Sequence, residues 1–371
     1  MQLTVQLHLQ PDDPAKKALL ATMERFNEAA NWVGGELFTA QIANKIEAQN
    51  LLYKDVRAKF DLSAQMAILC IHRVCEAFKR DKTIRPTFRP HAAITYDIRI
   101  MSFKGIDRVS LLTLSGRVVV PFVAGKYQRE RFCHAKKQAD LVLRSDGQWF
   151  LLVSVVVPDG TPIPVTDFIG IDLGIASIAT DSDPDSEPLS GKDVEGVRRK
   201  HNLQRKRLQR KGSKGAKKKL VRVSRKESRF RNHTSHVVAK KIVECAKRTG
   251  RGIALENLKD IRLRITARGT EARNRLSGWG FAQLAAFIAY KATLAGVKVI
   301  YVDPHSTSQR CAECGHTERS NRKSQSEFVC KSCGHTAHAD KNAARNIRLR
   351  AQGENSKPPL ELDRLPLTWA S

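Results

Sequence analysis

The feature that ties this chain most tightly to one local structure is a pair of cysteine pairs near its C-terminal end. Cys311 and Cys314 are followed, after fifteen intervening residues, by Cys330 and Cys333, the spacing of a four-cysteine zinc ribbon. Each pair runs into Gly-His, a knuckle in which the glycine lets backbone amides turn towards sulfur. Four thiolates complete the tetrahedral shell of one Zn2+ and leave no open position, so the expected zinc is structural. His316, His335 and His338 are then surplus to the metal. The motif runs on without a break into HADKNAARNI, where Asp340 opens a helical pattern. A ribbon so placed is set into something larger.

Charge narrows what that larger unit meets. The 371 residues carry 65 Lys and Arg against 37 Asp and Glu, a net of +28. Such a field concentrates polyanions, of which nucleic acid is the commonest inside a cell. Residues 198–231 alone hold seventeen Lys and Arg against one acid, Glu227. A charge run is ordinarily a solvated face, but helices this rich in like charge repel themselves unless a polyanion lies against them. The N-terminus has neither the basic nor the apolar region of a secretory signal. The longest apolar run, WFLLVSVVVP, is about half the length a membrane helix needs. The expectation is a soluble, cytoplasmic protein with no membrane partner. Cys70, Cys75, Cys133 and Cys245 read as buried thiols in a reducing compartment.

Periodicity divides the chain. Residues 1–10 alternate as a strand, Pro14 to Arg80 follow a helical period, and Pro86 and Pro90 close that region. AITYD, RVSLLTL, RVVVPFV and ADLVLRSDGQWFLLVSVVV then read as strands joined by the turns LSGR and RSDGQ. This is one β-rich domain interrupted by a helical one. PDGTPIPVT, from Pro158 to Thr166, reads as a linker. Beyond Phe168, strands (FIGIDLG, GIALE, KVIYVDP) alternate with helices in an α/β layer. The basic run is expected as two helices joined at KGSKGAK, and the tail after Arg350 as flexible.

Three acids stand where the chain leaves an otherwise apolar element: Asp172 in IGIDLG, Glu256 at the end of GIALE, and Asp340. One carboxylate at a strand end is usually a cap or an ion pair. Three together suit two divalent cations about 3.5–4 Å apart, the arrangement that activates water for phosphodiester cleavage. Magnesium fits such hard oxygen ligands.

In their order, IGIDLGIASIATDS, RRKHNLQRKRLQRKGSKGAKKKL, ESRFRNHTSHVVAKKIVECAK, GIALENLKDIR, GWGFAQL, VDPHSTSQRCAECGH and CKSCGHTAHADKNAARNI resemble the TnpB (OrfB) family. These are transposon-encoded RNA-guided DNA endonucleases related to type V CRISPR effectors. The resemblance is strong over residues 166–350 and weaker before them, through FNEAANWVGGELF, TYDIR and GRVVVPF. It implies an α/β RuvC-like nuclease of RNase H fold at 166–304 and 338–351, with a zinc ribbon inserted at 305–337. It also implies a β-barrel wedge domain at 1–12 and 86–165, a helical recognition lobe at 13–85, and a tail at 352–371. Asp172, Glu256 and Asp340 match the three RuvC acids and would hold two catalytic Mg2+. The implied partners are a guide RNA from the transposon end and double-stranded target DNA, with the protein a monomer on its RNA and nucleoid-associated when on DNA. Arg198, Arg199, Lys200, Arg205, Lys206, Arg207, Arg210, Lys211, Lys217, Lys218, Lys219 and Arg222 would lie against nucleic acid. A nuclease-inactive regulator would carry a broken triad; a miniature type V effector would share the chemistry, and a strand-joining transposase is a further alternative.

Overall fold

The computed structural model describes residues 1–132, 135–174, 176–258, 280–324 and 326–353. The chain divides into two units, which meet in sequence between Val157 and Pro158. Cys133, and the tail from residue 354 onward, lie outside the described residues.

In the first unit, β1 (Gln2–Leu9) buries Leu3, Val5, Leu7 and Leu9 by strict alternation. Three helices follow: α1 (Asp13–Ala40), α2 (Lys45–Phe60) and α3 (Ala64–Phe78). Each begins at a side chain that accepts backbone N–H groups of its first turn, Asp12, Asn44 and Ser63 respectively. The chain then returns through β2 (Ile94–Asp97), β3 (Met101–Lys104), β4 (Arg108–Thr113) and β5 (Gly116–Val123). A short helix not foreseen from the periodicity, α4 (Lys126–Phe132), precedes β6 (Ala135–Leu143) and β7 (Trp149–Val156). The sheet order is β2-β6-β7-β1-β5-β4-β3, antiparallel throughout. Its two edge strands, β2 and β3, are separated in the chain only by residues 98–100. So short a link cannot span seven flat strands at about 4.8 Å each, so the sheet curls back on itself.

The second unit opens with residues expected as a linker at the end of the first. They are not one. Gly160 N–H donates to Thr293 O at 3.0 Å and Ile163 N–H to Gly296 O at 2.9 Å. That packing leaves no room for a Cβ at Gly160, which would meet Gly296 N at 2.4 Å. The sheet contains β8 (Phe168–Asp172), β9 (Ser177–Asp181), β10 (Leu189–Ser190), β11 (Gly252–Glu256) and β12 (Val299–Val302), ordered β10-β9-β8-β11-β12. β8, β11 and β12 are parallel, while β9 runs against β8 and β10 against β9. Between β10 and β11 come α5 (Lys192–Lys211) and α6 (Lys214–Arg248), broken at Gly212, whose φ of 65° a side chain would resist. Then follow α7 (Phe281–Ala295), the cysteine-bearing segment with β13 (Glu327–Val329) and β14 (Thr336–His338), and α8 (Ala339–Ala351).

Strand periodicity sorts this sheet's two faces. Ile169, Ile171, Ile253 and Leu255 pack with Val238 and Ile242 of α6 and with Leu284 and Ile288 of α7. The alternate positions face α8, where Ala254 packs against Ile347. No helix among the described residues is long and apolar enough to cross a membrane.

Candidate active site and nucleic-acid interface

The same parity directs the acids. Asp172 is two residues beyond Gly170, and Glu256 two beyond Ala254, so both belong to the α8 face at the carboxyl ends of their strands. Leu255 pairs with Ile171 in parallel register, which puts Glu256 beside Asp172. Carboxyl ends of parallel strands are where open α/β sheets bind ligands. Asp340 arrives from the first turn of α8, 4% exposed. The helix comes this close because Gly170 has no side chain: a Cβ there would meet Ala344 O at 2.1 Å and Arg348 N at 2.6 Å. Arg348 also forks onto Asp167 at the foot of β8, at 2.7 and 3.0 Å.

The other two carboxylates act on Asp172. The Asp172 carboxyl is pushed from 3.8 up to about 8, first by burial, then by Glu256 and by Asp340, with Arg322 opposing. Glu256 is raised by burial and held back by the Thr307 hydroxyl, which donates to Oε1 at 2.5 Å. Arg322 donates to Asp340 Oδ1 at 3.1 Å, so a guanidinium from the ribbon supplies part of the missing positive charge. Among the described residues, only the four cysteines bring three or more metal-capable side chains within 4.8 Å of one another. The three acids are spread more widely than that.

Thr307 carries no signal in the sequence beyond its place before the first cysteine. Arg322 stands out there only as a basic residue able to touch phosphate; its contact with Asp340 is tertiary. The polar segment DSDPDSEP, residues 181–188, is a clasp. Asp183 receives both arms of Arg251, at 2.6 and 2.7 Å. Lys341, the neighbour of Asp340, reaches Asp181, Ser186 and the Asp183 carbonyl.

In the ribbon, Sγ of Cys311 lies 3.7 Å from Cys333, and Cys314 lies 3.6 Å from Cys330. Four sulfurs at about 2.3 Å from one zinc would be about 3.8 Å apart, so the cluster suits a tetrahedral ion. The knuckles close through backbone bonds, with Cys311 N–H on His316 O and Cys330 N–H on His335 O, each 2.9 Å. Two of the three spare histidines have other partners: His316 pairs with Glu318, and His338 caps α8. Asn321 joins the two knuckles, donating to Gln309 O and accepting from Lys331 N–H.

Of the basic residues singled out in α5 and α6, Arg199, Lys200, Lys206, Arg207, Arg210, Lys211, Lys217, Lys218, Lys219 and Arg222 are exposed. Arg198 and Arg205 are half-buried and engaged by Glu195 and Glu227, each at 2.7 Å. The second of these pairs fastens α5 to α6, which holds two like-charged helices together.

Residues 152–262 match the family model described as "Probable transposase" (OrfB_IS605), and residues 281–347 match "Cas12f1-like, TNB domain". Over 255 residues the chain is 34% identical to the CRISPR-associated endodeoxyribonuclease Cas12f1 of Sulfoacidibacillus thermotolerans, covering 62% of this chain and 58% of that protein. It is 29% identical over 308 residues to InsQ of Escherichia coli, a protein named for RNA-guided DNA endonuclease activity, covering 76% of this chain and 72% of InsQ. The chain spans about half the length of the first of these relatives and less of a second Cas12f1, 41%. Among solved structures, the protein of a Cas12f1–sgRNA–target DNA complex superposes with a TM-score of 0.62 at 17% identity, covering 91% of this chain and 83% of that one. At that identity the likeness is one of fold.

Proposed function

We propose that this chain is a member of the TnpB (OrfB) family, which its likeness to a "Probable transposase" model and to InsQ supports, and that it is an RNA-guided, metal-dependent endonuclease. It is encoded by a transposable element and cleaves double-stranded DNA next to a short target-adjacent motif. The observation that carries this reading is the placement of Asp172 and Glu256 side by side at the mouth of a parallel sheet with the buried Asp340 of α8 beside them, where burial and the other two acids push the Asp172 carboxyl up to about 8. A buried carboxyl pressed by two further acids is costly to a fold unless a cation relieves it. Their hard oxygen donors fit magnesium, and their wider spread suits two ions better than one.

In this reading the β10-β9-β8-β11-β12 sheet is the RuvC-like nuclease core of RNase H fold, and the curled sheet of the first unit is the barrel-like wedge. α1 to α3 form the recognition lobe, and the cysteine cluster holds one structural zinc. Bound magnesium would lower the pKa of its water and neutralise charge developing on the scissile phosphate. The chain does the rest. Asp172, Glu256 and Asp340 hold the cations, and α8 packed on Gly170 fixes Asp340 against the two strands. The exposed lysines and arginines of α5 and α6 neutralise the phosphates of guide RNA and target DNA, while base pairing selects the sequence. A monomer bound to its RNA, in the cytoplasm and on the nucleoid, is the working form. An intact acid triad speaks against the nuclease-inactive regulator. The 34% identity to a Cas12f1 favours, as second reading, a miniature type V effector with the same chemistry.

The test uses purified protein, its cognate guide and a matching plasmid, with and without magnesium. Linearisation that requires guide and metal, and is lost in Asp172→Ala while guide binding persists, is the expected result. Cutting by Asp172→Ala, or no cutting by the wild type, would overturn the assignment.

A further inference from the structure

We propose that Thr307 is a positioning residue: its hydroxyl holds the Glu256 carboxylate in its cation-binding orientation, and Asn346 ties it to the helix that carries Asp340. The inference rests on reading the three acids as a cation site, and it adds a device that sets two of them from one unit. Thr307 is 4% exposed, and its Oγ1 donates to Glu256 Oε1 at 2.5 Å. Its own carbonyl accepts from Asn346 Nδ2 at 2.9 Å, and the same amide reaches Arg310 O at 2.7 Å. One turn earlier on α8, Asn342 donates to Arg310 O at 2.7 Å and accepts from Ala312 N–H at 3.0 Å. Asn342 and Asn346 are 0% and 1% exposed. Amides buried that deeply are costly unless bonded, so a helix face that needed only packing would carry apolar residues there. Ser306, just ahead of Thr307, has φ of 59°, a region that non-glycine residues seldom occupy, and the turn that presents Thr307 is therefore built rather than incidental. Glu256 and Asp340 come from separate elements, and the 307–312 segment is bonded to both.

The experiment measures Mn2+ binding to the full-length, zinc-loaded chain by electron paramagnetic resonance, with the Asp172→Ala variant subtracting binding elsewhere. Thr307→Val keeps the shape and deletes the hydroxyl. A hydrogen bond to a charged group lost at this site corresponds to roughly a tenfold or greater weakening of Mn2+ binding. Thr307→Ser, which keeps the hydroxyl, restores binding; Thr307→Ala reads the same loss should the valine variant not fold. A role in packing alone would lower the melting temperature in Thr307→Ser as well and leave Mn2+ affinity unchanged. Wild-type Mn2+ affinity in Thr307→Val overturns the proposal while leaving guided cleavage standing. Normal Mn2+ binding by a wild-type chain that cuts no DNA would sink the endonuclease reading alone. A wild type that binds no Mn2+ at the acids would sink both.

Discussion

Replacing Asp172 by asparagine should make this protein more stable while abolishing its chemistry, and the size of the gain follows from the site. A carboxyl pushed from 3.8 to about 8 binds its proton more tightly folded than unfolded. The stability tied to that proton is present in full below pH 4 and is lost progressively as pH rises to about 8. Four units at about 1.36 kcal/mol each set a ceiling of about 5–6 kcal/mol. Asp172 sits at the rim of the sheet, so water and local relaxation reduce this to about 2–3 kcal/mol. The asparagine side chain would carry no charge, and its amide can donate to the neighbouring carboxylates. For a cooperative unit of about 200 residues the gain corresponds to roughly 5–10 °C in melting temperature. The assay is thermal melting in buffer free of magnesium and manganese, with the ribbon's zinc retained. The two proteins should melt together near pH 4.5 and diverge by pH 8, with Asp172→Asn higher. Adding Mn2+ at pH 8 should raise the wild type and leave the variant where it was. If Asp172→Asn melts below the wild type at pH 8, or the difference does not change with pH, the carboxylates do not strain the fold as argued.

Two further substitutions probe the supports of the site. Gly170→Ala would drive a Cβ to 2.1 Å from Ala344 O, a backbone atom that cannot swing aside. The variant should lose about 1–3 kcal/mol or more in a denaturant melt and lose guided cleavage, with zinc content unchanged; wild-type melting would refute the close approach. Cys311→Ser should lower zinc content, measured by elemental analysis, together with melting temperature, because a closed thiolate site contributes folding free energy. Full thermal stability with the zinc gone would show that the ribbon is dispensable to the fold.

Much of this is legible as sequence because it depends on local rules. Two CxxC pairs, the alternation in Leu3 to Leu9, the apolar strands ending in Asp172 and Glu256, and the helix opening at Asp340 all follow from spacing and period. The partners of those residues do not follow, because nothing local encodes them. Thr307 meets Glu256 across 51 residues of chain, and Arg251 meets Asp183 across 68. Glu227 is a lone acid in a basic run, and only the hairpin of α5 and α6 gives it a purpose by bringing Arg205 onto it. Pro158 to Thr166 has the composition of a linker, since prolines and a glycine serve a packed extended segment as well as a free one.

The long-range bonds also explain why the ribbon occupies its place in the chain. Glu256 and Asp340 must meet although 83 residues lie between them in the chain, and closing so long a loop for one contact is entropically unfavourable. The 307–312 segment divides that closure. It is fastened to β11 through Thr307 and to α8 through Asn342 and Asn346. A zinc held by the four cysteines would then tie the segment's far end, at Cys311, to Cys330 and Cys333, a few residues before Asp340. Each closure is then short or held by the metal site, and each would fix one more coordinate of Asp340 relative to Glu256. A ribbon inserted anywhere else in the unit could bind its zinc equally well, but it would not shorten this path.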